Sequence, residues 1–276
     1  MEQGRLQIEG WLGLVDCLLL AALDNAQSQD GINGDLLEIG VFQGASAILL
    51  GYFVNPGERF VVCDLFGAPG LRPETDREAL LFGISTRPVF EANYARFHAT
   101  LPQVLAMPSS ELAHRLPAGR FRIVHVDGSH AYADVRADIF LARQLLVPDG
   151  VVVLDDVSNP RVPGVGAAVW ESVARDDLVP FAMGDKLYAT WGSPPKLDPG
   201  LLAAELGRTL AEKSHQVAGH VLTHYEEVPN CEGAPKASSA SRRLAAAWVP
   251  PAMKPLAVSF ESHIRSASRG WWRRGE

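Results

Sequence analysis

The sequence predicts an α/β chain built on a mainly parallel sheet with helices on both faces. Three observations lead there. Residues 123–157 read as strand, acidic turn, helix, tight turn, strand, acidic turn. Residues 35–64 read as strand, glycine-containing turn, helix, strand. The chain has 276 residues, 47% of them hydrophobic, enough to bury a full core as one domain with additions or as two small ones.

Taken in order, residues 11–23 are apolar but interrupted by Asp16, and the run is shorter than the roughly 20 residues a membrane span needs. Glu2 and Glu9 flank it, so a basic signal-peptide start is lacking. It reads as an amphipathic helix packed on the body, and residues 25–34 as a polar link. The strand at 35–39 runs into Glu38-Ile39-Gly40-Val41-Phe42-Gln43-Gly44-Ala45-Ser46, and a helix follows over 45–53. The next strand, 59–63, ends at Asp64. This is the arrangement of a nucleotide-type site: glycines let the backbone approach a ligand, and an acid ending the second strand can hold ribose hydroxyls. The spacing is E-x-G-x-x-x-G, not the G-x-G-x-x-G of dinucleotide folds. An acid two residues before the first glycine suits a cationic ligand, which disfavours an NAD-linked oxidoreductase.

Residues 65–96 are longer than a plain strand connection and read as a loop over the site, a lid, with a helix at 88–97. Arg72 and Arg87 are its candidates for contact with an anionic acceptor. The strand at 123–126 ends at Asp127. Val135, Ile139, Ala142 and Leu146 then recur at helical spacing, and Pro148-Asp149-Gly150 stops the helix. Residues 151–154 are continuously apolar, as in a strand covered on both faces, and end at Asp155-Asp156. A right-handed crossover of this length makes the two strands parallel and puts both C-termini at one edge. Asp127, His130, Asp155 and Asp156 are thereby gathered where open α/β sheets bind ligands. Three carboxylates so placed repel one another unless a cation sits among them. His125, in mid-strand, reads as a core histidine.

Residues 158–164 form a loop in which Asn159 falls near the acids; 165–175 is a helix, and 181–192 a hairpin turning at 183–186. Beyond 195 the composition changes. Residues 201–213 read as a helix, 232–241 are rich in small residues, and the end carries Arg265, Arg269, Arg273 and Arg274 with Trp271 and Trp272. This extension is suited to packing on the core, covering the site or building a homo-oligomer interface. His215, His220, His224 and Cys231 lack the paired-cysteine spacing of a zinc site, although His220 and His224 would share a helical face. The net charge is −7 and the pI about 5.6, which gives no general nucleic-acid affinity. Cys17, Cys63 and Cys231 are odd in number and far apart, as in a reduced cytoplasmic protein without stable membrane insertion.

In these residues the chain resembles the class I S-adenosylmethionine-dependent methyltransferases, and more narrowly the metal-dependent O-methyltransferases of the macrolide-sugar and catechol type. The resemblance covers about residues 36–191. It implies a Rossmann-like, mainly parallel seven-stranded sheet with a C-terminal antiparallel hairpin. It implies S-adenosyl-L-methionine wrapped by Glu38, Gly40, Phe42, Gly44 and Ser46, with Ser46 at its carboxylate, Asp64 at the ribose, and Ser110 beside adenine. Pro108 stands where the family usually has glycine. Mg²⁺ would be bound by Asp127, Asp155 and Asp156. His130, three residues after the first ligand, matches the general base of the sugar-modifying branch, where catechol enzymes have lysine. The resemblance thus implies methylation of a hydroxyl on a small sugar or natural-product acceptor. Domain limits follow as 1–30, an N-terminal helical cap; 31–195, the catalytic unit; and 196–276, the extension with its basic tail.

Independently of that resemblance, methyl transfer to an alcohol needs a better nucleophile than a neutral hydroxyl. A divalent cation on carboxylates can chelate two vicinal oxygens and lower the pKa of one, and an imidazole titrating near neutrality can take the proton. Each residue also has an ordinary alternative: Asp156 or His130 as a cap, Asp127 as a turn acceptor. A metal-independent methyltransferase is therefore the competing expectation.

Overall fold

The computed structural model describes residue 8 and residues 10–67 and 86–228. Helix α1 (Leu14–Gln29) precedes β1 (Asp35–Ile39), α2 (Ala45–Gly51) and β2 (Phe60–Asp64). Then come α3 (Arg87–Tyr94), β3 (Gln103–Ala106), a 3-10 turn (Ser109–His114), β4 (Phe121–Val126), α4 (Tyr132–Leu145) and β5 (Leu146–Leu154). The chain continues through α5 (Pro163–Arg175), β6 (Val179–Met183), β7 (Leu187–Thr190), α6 (Pro199–Glu205), β8 (Thr209–Val217) and β9 (His220–Val228).

The strands form one sheet in the order β3-β2-β1-β4-β5-β7-β6-β9-β8. From β3 to β5 all neighbours are parallel, while β7 runs antiparallel to both β5 and β6. The order reverses between β1 and β4, which opens a crevice at their C-terminal ends. Side chains alternate across the sheet. Leu36, Val62, Ile123 and Val153 pack under α1, α2 and α3, whereas Leu37, Val61, Val124 and Val152 pack under α4 and α5. Each fully buried aliphatic side chain contributes on the order of 1.5–3 kcal/mol, so both layers hold the strand ends in place.

Several sequence expectations change. Helix α1 runs on to Gln29 through the stretch read as a link and is buried almost all round. Strand β3 was not anticipated. Strand β5 is paired from Leu146 onward, with an irregularity in the ladder and a left-handed Asp149 (φ 60°) where a plain turn was read. The helix expected over 201–213 ends at Glu205, beside a left-handed Gly207 (φ 67°). From Thr209 the chain makes a two-stranded ribbon turning through Ala218 and Gly219, both at positive φ, as hairpin turns require. His220 and His224 therefore lie on a strand. Strand β9 pairs parallel with β6, so the described sheet has nine strands where seven were expected. Residues 68–85, with Arg72 and most of the expected lid, and residues 229–276, with Cys231 and the basic tail, lie outside the described residues. Arg87 pairs with Glu91 along α3. Among the described residues, no helix is long and apolar enough to cross a membrane.

At the opposite edge of the sheet, Arg122 of β4 is fully buried. Its guanidinium meets Asp24 at 2.9 Å and Glu58 at 3.0 Å and donates to Gln27 Oε1 and the Phe53 carbonyl. It ties α1 and the α2–β2 loop to the centre of the sheet. Removing one partner of such a network leaves buried charge uncompensated. Arg122→Met should cost about 3–5 kcal/mol in urea unfolding; an unchanged midpoint would show that the network is not structural.

Candidate active site

The site forms at the C-terminal ends of β1, β2, β4 and β5. Gly40, the first residue after β1, has φ 82°. A Cβ there would collide with the backbone carbonyl of Asp127, so the β1 turn can lie against the β4 turn only as glycine. Asp127 N–H donates to the Ile39 carbonyl, and Gly40 N–H to that of Cys63. Asp64 organises the turn: its carboxylate accepts the N–H groups of Val41, Phe42 and Phe66. Phe42 is held left-handed (φ 47°) and packs on the Trp11 ring with centroids 5.4 Å apart. Gly44, also left-handed, opens α2. Ser110 sits on the 3-10 turn after β3, at the same edge, with its side chain exposed.

Beneath this turn lies a buried polar row. Glu38 and His125 face each other across β1 and β4, and both are fully buried. Glu38 Oε1 takes a hydrogen bond from the Ser46 hydroxyl and lies 2.9 Å from His125 Nδ1. The Ser46 hydroxyl thus joins the glycine turn to the buried Glu38. Glu38 Oε2 and His125 Nε2 are buried without partners. Such groups are rare in folded proteins and call for a missing ligand or a functional role. An unpaired carboxylate oxygen under a glycine turn fits a cationic group such as the ammonium of S-adenosylmethionine.

On the far side of Gly40 stands the acid cluster. Asp127, at the end of β4, is half-buried at the edge of the sheet. Burial, reinforced by the neighbouring Asp155 carboxylate, pushes its pKa well up. Asp155, at the end of β5, behaves oppositely: burial works to raise it, but Lys186, His125 and the hydrogen bonds from Lys186 and Asp127 together hold it below the usual carboxylate value. The next residue, Asp156, is left-handed (φ 58°), which is the bend needed if adjacent acids are to serve one site. Its carboxylate lies 3.1 Å from His130 Nε2 and accepts the Asn159 side-chain amide. Asp127, His130 and Asp156 can offer donor atoms within 4.8 Å of one another, and so can His125, Asp127 and Asp155. Carboxylates with an imidazole suit a divalent cation that keeps some of its water.

The sequence reading missed Lys186. It begins the approach to β7, in the segment read only as a hairpin turn, and its Nζ pairs with Asp155 and lies 3.9 Å from Asp127. Burial alone would lower the lysine pKa, but Asp127 and Asp155 raise it, so it stays charged. Asp16 of α1 holds this turn from behind. Its carboxylate accepts the N–H groups of Asp185 and Lys186 and the Tyr188 hydroxyl. The one visible signal in the sequence was an aspartate interrupting an apolar helix, since a buried carboxylate needs partners.

A reversed-order parallel sheet with a glycine turn after β1, an acid after β2 and an antiparallel β7 defines the class I methyltransferase architecture. Residues 37–157 match the family profile described as a methyltransferase domain. The match takes in the strands and turns that carry the glycine turn and the acid cluster. The chain is 29% identical over 158 residues to the 8-demethyl-8-(2,3-dimethoxy-alpha-L-rhamnosyl)-tetracenomycin-C 4'-O-methyltransferase of Streptomyces olivaceus. That alignment takes in 50% of this chain and 60% of the curated relative's length. Among solved structures, it is similar to the O-methyltransferase NovP (18% identity, 66% of this chain, 81% of that one, TM-score 0.49). It is also similar to CalS11, a TDP-rhamnose 3'-O-methyltransferase (20% identity, 65% and 77% covered, TM-score 0.43).

Burial pushes the Asp16 carboxyl up to about 6, against the pull of Lys186. A raised folded-state pKa gives stability that is present below the unfolded value and lost as pH rises through the folded one. Between pH 4 and 7 the wild type should therefore lose about 2–3 kcal/mol that Asp16→Asn does not lose. Urea unfolding of both proteins across this range checks it; parallel pH profiles would refute it.

Proposed function

We propose that the chain is an O-methyltransferase that uses S-adenosyl-L-methionine to methylate a hydroxyl of a small sugar-bearing or natural-product acceptor, with a divalent cation such as Mg²⁺ and His130 as general base. One observation carries this reading. Gly40 lies directly against Asp127, so a cofactor cradled by the β1 turn and an acceptor held at the acid cluster would be immediate neighbours. The curated relative's printed activity, methylation of a rhamnosyl 4'-hydroxyl, supports the acceptor class.

Bound S-adenosylmethionine would supply an electrophilic methyl group and drive the transfer. The chain's residues bind and orient. Glu38 would take the cofactor's ammonium, Asp64 its ribose once the turn is formed, Ser110 its adenine side, and Gly44 and Ser46 would shape the turn around the methionine part. Asp127, Asp155 and Asp156 form the acidic wall that would hold the cation, whose charge lowers the pKa of an acceptor hydroxyl. His130, oriented by Asp156, would take the proton as the oxygen attacks. Positioning accounts for most of the acceleration. The free thiols of Cys17 and Cys63 suit a reducing cytoplasm.

Calorimetry should show binding of S-adenosylmethionine and none of NAD. A labelled-methyl screen of rhamnose-bearing and phenolic natural products should give transfer that EDTA abolishes. His130→Ala should lower kcat by about 10²–10⁴ while cofactor affinity stays unchanged. Transfer that survives EDTA would favour the metal-independent alternative; full activity of His130→Ala would remove the histidine base.

A further inference from the structure

Lys186 gives the acid cluster a cation of its own. We propose that this ammonium takes Asp155 out of the metal-ligand set, so that a divalent cation is held by Asp127 and Asp156 with His130 beside them. The inference rests on the metal-assisted reading above and changes its ligand set.

Both oxygens of Asp155 are already engaged. Oδ2 pairs with Lys186 Nζ, and Oδ1 accepts the N–H of Asp156 at 2.7 Å. Asp155 therefore links the lysine to the backbone of the next acid and braces Asp156 in its left-handed turn. Lys186 is only 2% exposed and Asp155 14%, whereas Asp127, Asp156 and His130 are 32%, 28% and 24% exposed. Of the two candidate donor groups, both with Asp127, one contains buried His125 and Asp155, the acid paired with the ammonium, and the other contains the more exposed His130 and Asp156. A divalent cation in the first would sit against a like charge in a poorly solvated place. In the second it would meet two carboxylates and open positions for water and acceptor oxygens.

The lysine is also held in place. Asp16 anchors the backbone of residues 185 and 186, and a Cβ on Gly184 would come within 2.9 Å of Asp16 Oδ1, so the helix and the turn interlock. Lys186 is a positioning residue: it acts on the cation through Asp155 and does not touch the acceptor.

Mn²⁺ binding to the full chain, followed by electron paramagnetic resonance, tests this, with S-adenosylmethionine binding as the check of folding. Asp156→Asn should weaken Mn²⁺ at least about tenfold, as loss of a ligand does. The double variant Asp155→Asn/Lys186→Met removes the ion pair but keeps a side-chain oxygen for the Asp156 N–H, and should weaken Mn²⁺ far less than Asp156→Asn does. Lys186→Met alone frees Asp155 as a third carboxylate and should tighten Mn²⁺ by about tenfold or more. If that single variant does not fold, the double variant decides. The proposal is overturned if the double variant loses Mn²⁺ as Asp156→Asn does, or if Lys186→Met folds and leaves the affinity unchanged. It is equally overturned if neither wild type nor Lys186→Met binds Mn²⁺. Mn²⁺ binding in the predicted order without methyl transfer to any acceptor would sink the O-methyltransferase reading and still support the role of Lys186.

Discussion

An ammonium buried among carboxylates is the interaction on which the rest of this site depends. Removing a lysine from water costs several kcal/mol unless partners of opposite charge surround it. Here Asp155 pairs with it directly, Asp127 lies within 3.9 Å, and Asp16 holds its backbone. That requirement draws together three parts of the chain: the first helix, the end of β5 and the turn before β7. Helix α1 is thereby more than a cap over the sheet. It is the back wall of the acid cluster, and its own buried carboxylate is satisfied by the turn it supports.

The same face of the sheet carries the second polar element. Glu38 and His125 stand opposite each other in register, and Val153 and Tyr188 continue the row across β5 and β7. Tyr188 donates to Asp16, so one end of the row meets the support of Lys186 and the other meets the glycine turn. A buried polar row specifies register, because a one-residue slip would move Glu38 and His125 to the other face and strand them among the leucines and valines under α4. Within this row, Glu38 Oε2 and His125 Nε2 are buried without hydrogen-bond partners among the described residues.

The ribbon β8–β9 extends the sheet past β6. Its partner across the junction is β6, whose Met183 leads into the turn holding Lys186. Helix α6 packs against the α1 side, with Leu202 and Ala203 joining that core cluster. The added strands thus buttress both elements that position the lysine.

Much of this was legible in the sequence. The strand–helix–strand unit at 123–157 follows from local periodicity and a right-handed crossover, and these alone bring Asp127, His130, Asp155 and Asp156 to one edge. The glycine turn and Asp64 mark the cofactor edge in the same local way. The ribbon was not legible: Leu201, Leu202 and Ala203 start as a helix, β8 is largely exposed, and β9 buries Leu222 and Tyr225 on opposite faces, so no strict alternation betrays it. Nor was Lys186. Thirty-one positions separate it from Asp155 and 170 separate it from Asp16, and no spacing rule joins residues whose meeting depends on strand order. By itself the sequence determined which strand ends carry the acids and the glycines, because those are short-range consequences of pattern and chirality. Only the tertiary structure decided which acid receives the lysine, because that depends on β7 inserting antiparallel beside β5 and on α1 closing behind the turn.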